Sequence, residues 1–70
     1  MIYPNLRAEL ARKGWTLQQL ADLIQIKVET LKKKLQGYSD LKLSEASKIK
    51  DVLGVDIPLE VLFAKEGEVA

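Results

Sequence analysis

Apolar residues recur along this chain at helical intervals, and glycine, proline and capping residues cut the pattern into five short segments. Leu6, Leu10 and Ala11 share one face of a first segment that opens at Pro4 or Asn5 and runs to Lys13, where Gly14 stops it. The second begins after Thr16. Thr16 and Gln19 form the T-x-x-Q pattern of a capping box. In that motif the threonine hydroxyl accepts the amide of the third helical residue and the glutamine returns to the cap, worth about 1 kcal/mol. Leu17, Leu20, Ala21 and Ile24 then share a face, and the segment ends near Ile24 or Gln25. A third segment runs from about Lys27 to Gln36 and ends at Gly37. After a turn-rich connection at Gly37, Tyr38, Ser39 and Asp40, the residues Leu43, Ala46, Ile49 and Leu53 return to helical spacing. Val52 widens that stripe, and Gly54 ends it. Asp56, Ile57 and Pro58 mark a fifth start, because proline is tolerated in a first helical turn, and LEVLFA supplies one or two turns. No stretch alternates with period two for long enough to predict a strand. The fold class expected is therefore all-α, with five helices in one domain over residues 1–64 and a short frayed tail at 65–70. Trp15 and Phe63 are expected at the core or its edge, and Tyr38 packed at its turn.

Length makes that core small. Seventy residues form one domain at most, burying about 60% of the surface that the unfolded chain exposes. With no cysteine for a disulfide and no Cys/His set for zinc, the 47% apolar residues must hold the fold unaided. The same absences argue against enzymatic chemistry. Without His or Cys the commonest general base, the usual thiolate nucleophile and most transition-metal ligands are missing, and the carboxylates are scattered among lysines. No catalysis, cofactor, metal or small-molecule substrate is expected. No run approaches the roughly 18 apolar residues of a membrane span, and MIYPNLRAEL lacks a basic segment followed by an apolar one. These features predict a soluble cytoplasmic protein.

Charge adds direction. The net charge is only +1, yet residues 1–50 carry +5 and residues 51–70 carry −4. Lys27, Lys32, Lys33 and Lys34 crowd the third segment around a single Glu29. A lysine cluster on a surface helix is most often a solvated face, so charge alone does not name a partner. The connection before it changes that weighing. Two helices joined by about three residues, the first carrying the small Ala21, cross steeply and approach closely, which is a helix-turn-helix. Such a unit can present its second helix to the major groove of DNA, where basic side chains meet phosphates on either side.

The segment TLQQLADLIQIKVETLKKKLQG, followed by LSEASKIKDVLGV, resembles the lambda-repressor-like (XRE) DNA-binding domain, above all the small versions of phages and prophages. The likeness covers about residues 4–63. It rests on Thr16, the pair Leu20 and Ala21, Ile26 after the turn, Thr30 and Leu31, Gly37, and the run Leu53, Gly54 and Val55. The resemblance implies a five-helix transcriptional regulator whose third helix reads base edges of an operator, commonly as a symmetric dimer. Three positions depart from the family pattern. Leu17 stands where a phosphate-binding glutamine is common, with Gln18 and Gln19 following. Gln25 stands where glycine adopts a left-handed turn, at a cost of roughly 1 kcal/mol. Lys34 stands where an apolar residue is expected.

Two placements of the third helix follow. Plain periodicity buries Val28, Leu31 and Leu35 in one stripe, whereas the family pattern turns Val28 to DNA and lays the stem of Lys34 over the core. Glu29, Lys32, Lys33 and Gln36 face outward in both. Residue chemistry then assigns Lys27, Val28, Glu29 and Lys33 to bases, with Glu29 accepting from cytosine N4, Lys33 donating to guanine, and Val28 meeting a thymine methyl. Gln18, Lys32, Gln36, Ser39 and Lys42 are assigned to phosphate. A short fifth helix that turns Leu59, Leu62 and Phe63 inward leaves Val61 exposed beside Ile57, a patch suited to a weak homodimer formed or strengthened on DNA. The alternative to DNA reading is a protein-interaction module, antitoxin-like or adaptor, built on the same fold.

Overall fold

The structure is a computed structural model and describes residues 1–67. Five helices and no strand occur among the described residues: α1 (Pro4–Lys13), α2 (Leu17–Ile24), α3 (Val28–Leu35), α4 (Leu43–Leu53) and α5 (Leu59–Leu62). None is long and apolar enough to cross a membrane. Local chemistry sets several of the boundaries. Pro4 occupies the first turn of α1, where its missing N–H costs nothing, and Gly14 ends that helix in the left-handed region at φ 69°. Thr16 caps α2 as its sequence predicts. Its Oγ1 accepts from the Gln19 amide at 3.2 Å, and Gln19 Oε1 accepts from the Thr16 amide at 2.8 Å. Pro58 stands at the N-cap of α5, one position earlier than a first-turn proline, and this helix is a single turn.

A single apolar core joins these elements. Leu6 and Leu10 from α1, Leu20, Ala21 and Ile24 from α2, and Leu31 and Leu35 from α3 all bury, together with Ile49, Leu53 and Leu62. Tyr3 joins them, its ring meeting Phe63 edge to face with centroids 5.5 Å apart. Trp15 packs on the core edge. Fully burying one such aliphatic side chain contributes about 1.5 to 3 kcal/mol. With seven large side chains fully buried, the core rests on a small set of residues.

Polar contacts tie the periphery to that core. The Asn5 side-chain amide donates to the Val61 carbonyl at 2.9 Å, fastening α1 to α5. The Ile2 amide donates to the Leu35 carbonyl at 2.9 Å, and the Ile2 carbonyl accepts from Glu66 at 2.8 Å. The N-terminal segment thus satisfies an orphan carbonyl at the end of α3 and holds the chain beyond α5. Gly37 makes room for it: φ is 88°, and a Cβ here would stand 3.3 Å from Ile2 Cδ1. The expected fraying of residues 65–70 falls outside the described residues from position 68 onward.

Three expectations require correction. Ala11 is exposed rather than on the buried face, because the stripe of α1 follows Leu6 and Leu10 and takes in Glu9 instead. Glu9 is buried, its carboxylate 2.9 Å from Arg12 one turn on, whose long side chain carries the charge back to solvent. Leu43 and Tyr38, assigned to a buried stripe and a packed turn, are 74% and 80% exposed. Leu43 opens α4, so its side chain points back past the end of the helix, where no layer of core faces it.

Candidate nucleic-acid interface

Residues 25 to 27 connect α2 to α3, and their conformation aims the third helix. Gln25 is the only non-glycine residue with positive φ among those described, at φ 62° and ψ 43°. This is the left-handed geometry in which glycine is the usual occupant. The turn is held by backbone: the Ile26 amide donates to the Ala21 carbonyl at 3.0 Å, and the Gln25 amide to Asp22 at 3.3 Å. Ile26 packs its side chain against the core, and Ala21 is completely buried where α2 and α3 cross. A larger side chain at position 21 would push the two helices apart.

The two placements of α3 are reconciled rather than opposed. Leu31 and Leu35 are completely buried and Val28 is half-buried against the core, as periodicity expects. The aliphatic stem of Lys34 also lies inward, with a side chain only 14% exposed, as the family pattern expects. At about 100° per residue, Lys33 falls about 180° from the midpoint of Leu31 and Leu35. Glu29, Thr30 and Gln36 fall about 120° to 140° from that midpoint, and all four are exposed. Lys32 and Lys34 sit on opposite flanks, each about 80° from the midpoint.

Several candidate residues gather in one place. Gln18, Lys27, Val28 and Glu29 line a single open concavity of about 520 Å³ between the start of α2 and the start of α3, together with Asp22 and Gln25. Val28 presents only an edge there, since part of its side chain is spent on the core. Gln18 is engaged with its own helix, its amide donating to Asp22 Oδ1 at 2.9 Å. Lys33 and Lys32 lie farther along α3, and Gln36 is its C-cap. Ser39 is not in the concavity. It lines a second hollow with Ile2, Tyr3, Asp40 and Leu41, beyond the far end of α3. Lys42 is the N-cap of α4, its backbone amide donating to Glu45 Oε1 at 3.0 Å while its side chain is exposed.

Two features escaped the reading of sequence. Thr30 shares the exposed face with Lys33 and Glu29; the helical spacing already placed it there, but its small hydroxyl drew less notice than the charges around it. The other is an ion pair. Lys34 Nζ donates to Glu45 Oε2, joining the last turn of α3 to the first turn of α4 across the Gln36 to Lys42 connection. The hydrogen bond from Lys34, followed by that from the Lys42 amide, holds the Glu45 carboxyl below the usual range for glutamate. No signal in the sequence marks this pair, because its partners lie eleven residues apart on different helices and helical spacing relates only residues of one helix.

No curated protein and no solved structure matches the chain. A family model described as helix-turn-helix matches residues 6–59, a span that begins inside α1 and ends at the first residue of α5. With α2 and α3 in contact across a short left-handed turn and an exposed outer face on α3, the chain, matched over most of its length, belongs to the lambda-repressor-like (XRE) helix-turn-helix family of DNA-binding regulatory domains.

Proposed function

We propose that this protein is a sequence-specific transcriptional regulator of the phage-repressor type, with α3 lying in the major groove of double-stranded DNA. The observation that carries this reading is the outer face of α3, where Glu29, Thr30 and Lys33 stand exposed opposite the buried pair Leu31 and Leu35. A major groove about 12 Å wide admits one helix, and these side chains match base-edge chemistry: a carboxylate for cytosine N4, an ammonium for guanine O6 and N7. Lys27 and the open edge of Val28 would extend the reading surface towards α2. Gln18, Lys32, Gln36, Ser39 and Lys42 surround it as phosphate contacts, which fix register and carry no sequence information. The acidic final third would trail as the domain approaches the polyanion.

Titrating a mixed-sequence duplex at two salt concentrations tests the reading. Affinity should fall steeply with salt, by roughly 0.9 logarithmic units per decade for every phosphate engaged. Footprinting on the DNA that flanks its own gene should then reveal a protected, pseudo-palindromic site. A competing reading, a protein-interaction module, is favoured by the exposed Tyr38, just past the end of α3, and Leu43, the first residue of α4. Salt-insensitive or absent DNA binding would select it.

A further inference from the structure

We propose that Glu45 masks Lys34 from DNA and so limits the sequence-independent part of binding, an inference that rests on the DNA-binding reading above. Three consecutive lysines, Lys32, Lys33 and Lys34, occupy the second half of α3. They are not equivalent. Lys33 points straight out, and Lys32 and Lys34 lie on opposite flanks, each about 80° from the buried midpoint. A helix in the major groove has a phosphate strand on either side, so both flanking lysines are candidates for phosphate. Lys32 is exposed, with no ion-pair partner among the described residues. Lys34 donates to Glu45 Oε2, and the side chains of this pair are only 14% and 19% exposed.

The mask is itself held in place. The other oxygen of Glu45 accepts from the Lys42 amide at 3.0 Å, so the carboxylate is fixed at the N-terminus of α4 rather than free to swing away. To reach a phosphate, Lys34 would have to give up a partner whose geometry is already organised. Lys42, whose amide bonds to the same carboxylate, has an exposed side chain assigned to phosphate, so a released Lys34 would stand near a second candidate phosphate contact. Phosphate contacts strengthen binding to every duplex alike. Withholding one of them lowers the affinity for random DNA without touching the bases.

The experiment compares the slope of log affinity against log salt, between about 50 and 200 mM, for the full chain on a mixed-sequence duplex. Glu45→Gln keeps an acceptor for the Lys42 amide but removes the charge that holds Lys34. It should bind several-fold more tightly at the low-salt end and steepen the slope by roughly 0.9. The double variant Lys34→Met with Glu45→Gln has the wild-type net charge and no ammonium to release, and should return to the wild-type slope. Asp51→Asn removes the same charge from the last turns of α4, and should leave the slope unchanged. Thermal melts establish that each variant is folded at the assay temperature. If the wild type shows a salt-dependent slope and Glu45→Gln does not steepen it, the mask is overturned while the DNA-binding reading stands. Equal steepening in the single and double variants would also overturn it, since Glu45 would then act by its own repulsion. Wild-type protein that binds no duplex at low salt overturns both proposals.

Discussion

Lys33 and Lys34 are neighbours in the chain and have different employment, because one step along a helix turns a side chain through about 100°. Lys33 stands opposite the core and is exposed, whereas Lys34 is drawn over it to Glu45. Replacing Lys33 by alanine should therefore weaken binding to the specific site by about 1 to 3 kcal/mol and relax the preference at one base pair. Lys32→Ala should instead weaken all duplexes alike, and binding assays on a set of single-base operator variants separate the two patterns. Glu45 gives a second residue-scale prediction, this time in stability. Its carboxyl titrates lower in the folded protein than in the unfolded chain, because Lys34 and the Lys42 amide bond to its charged form. Such a group contributes stability that is fully present above the unfolded value, near pH 4.3, and lost as pH falls through the lower folded value. The wild type should melt above Glu45→Gln at neutral pH, and the gap should close in acid. A gap that stays constant down to acid pH would show that the carboxylate charge contributes nothing.

At the scale of elements, stop signals were legible in the sequence and the pairing between elements was not. Gly14 and Gly54 end their helices in left-handed geometry, and the Thr16 capping box forms as its spacing predicts. Both are local, decided within four or five residues. The exposure of Leu43 and the burial of Glu9 were missed because helical spacing assigns a face without saying whether a neighbour covers it. For the same reason the spacing placed Lys33 and Glu29 outward, but could not show that Lys34 meets a carboxylate eleven residues away. The turn before α3 is the element most open to test. Gln25 carries a side chain in a conformation that costs L-residues about 1 to 2 kcal/mol. Gln25→Gly should relieve roughly 1 kcal/mol of it, raising the denaturant midpoint with an unchanged slope. A lower midpoint would mean that the Gln25 side chain supplies contacts worth more than the strain.

The dimensions of the whole molecule bear on how two copies could share one site. Half-sites on DNA lie about 34 Å apart when they are one helical turn apart, and two-fold related domains must match that spacing. The Cα envelope measures 31 × 25 × 21 Å, so two copies centred on successive turns would meet only at their margins. A margin contact is small, and small contacts between proteins are weak. The surface available for it is modest. Val61 is 46% exposed in α5, and Ile57, two residues before that helix, is half-buried against the core, so neither offers a broad apolar face. One exposed valine is ordinary on any monomer, but DNA can recruit a contact too weak to form in solution, because binding both half-sites raises the local concentration of each copy. We therefore expect a monomer in dilute solution and a two-fold pair on a palindromic duplex. Light scattering with and without DNA measures this directly. Two copies should bind a duplex with half-sites one turn apart, and Val61→Glu should reduce the cooperativity while leaving single half-site affinity unchanged. One copy on every duplex tried, whatever the spacing of its half-sites, would remove the dimer and leave a protein that reads DNA alone.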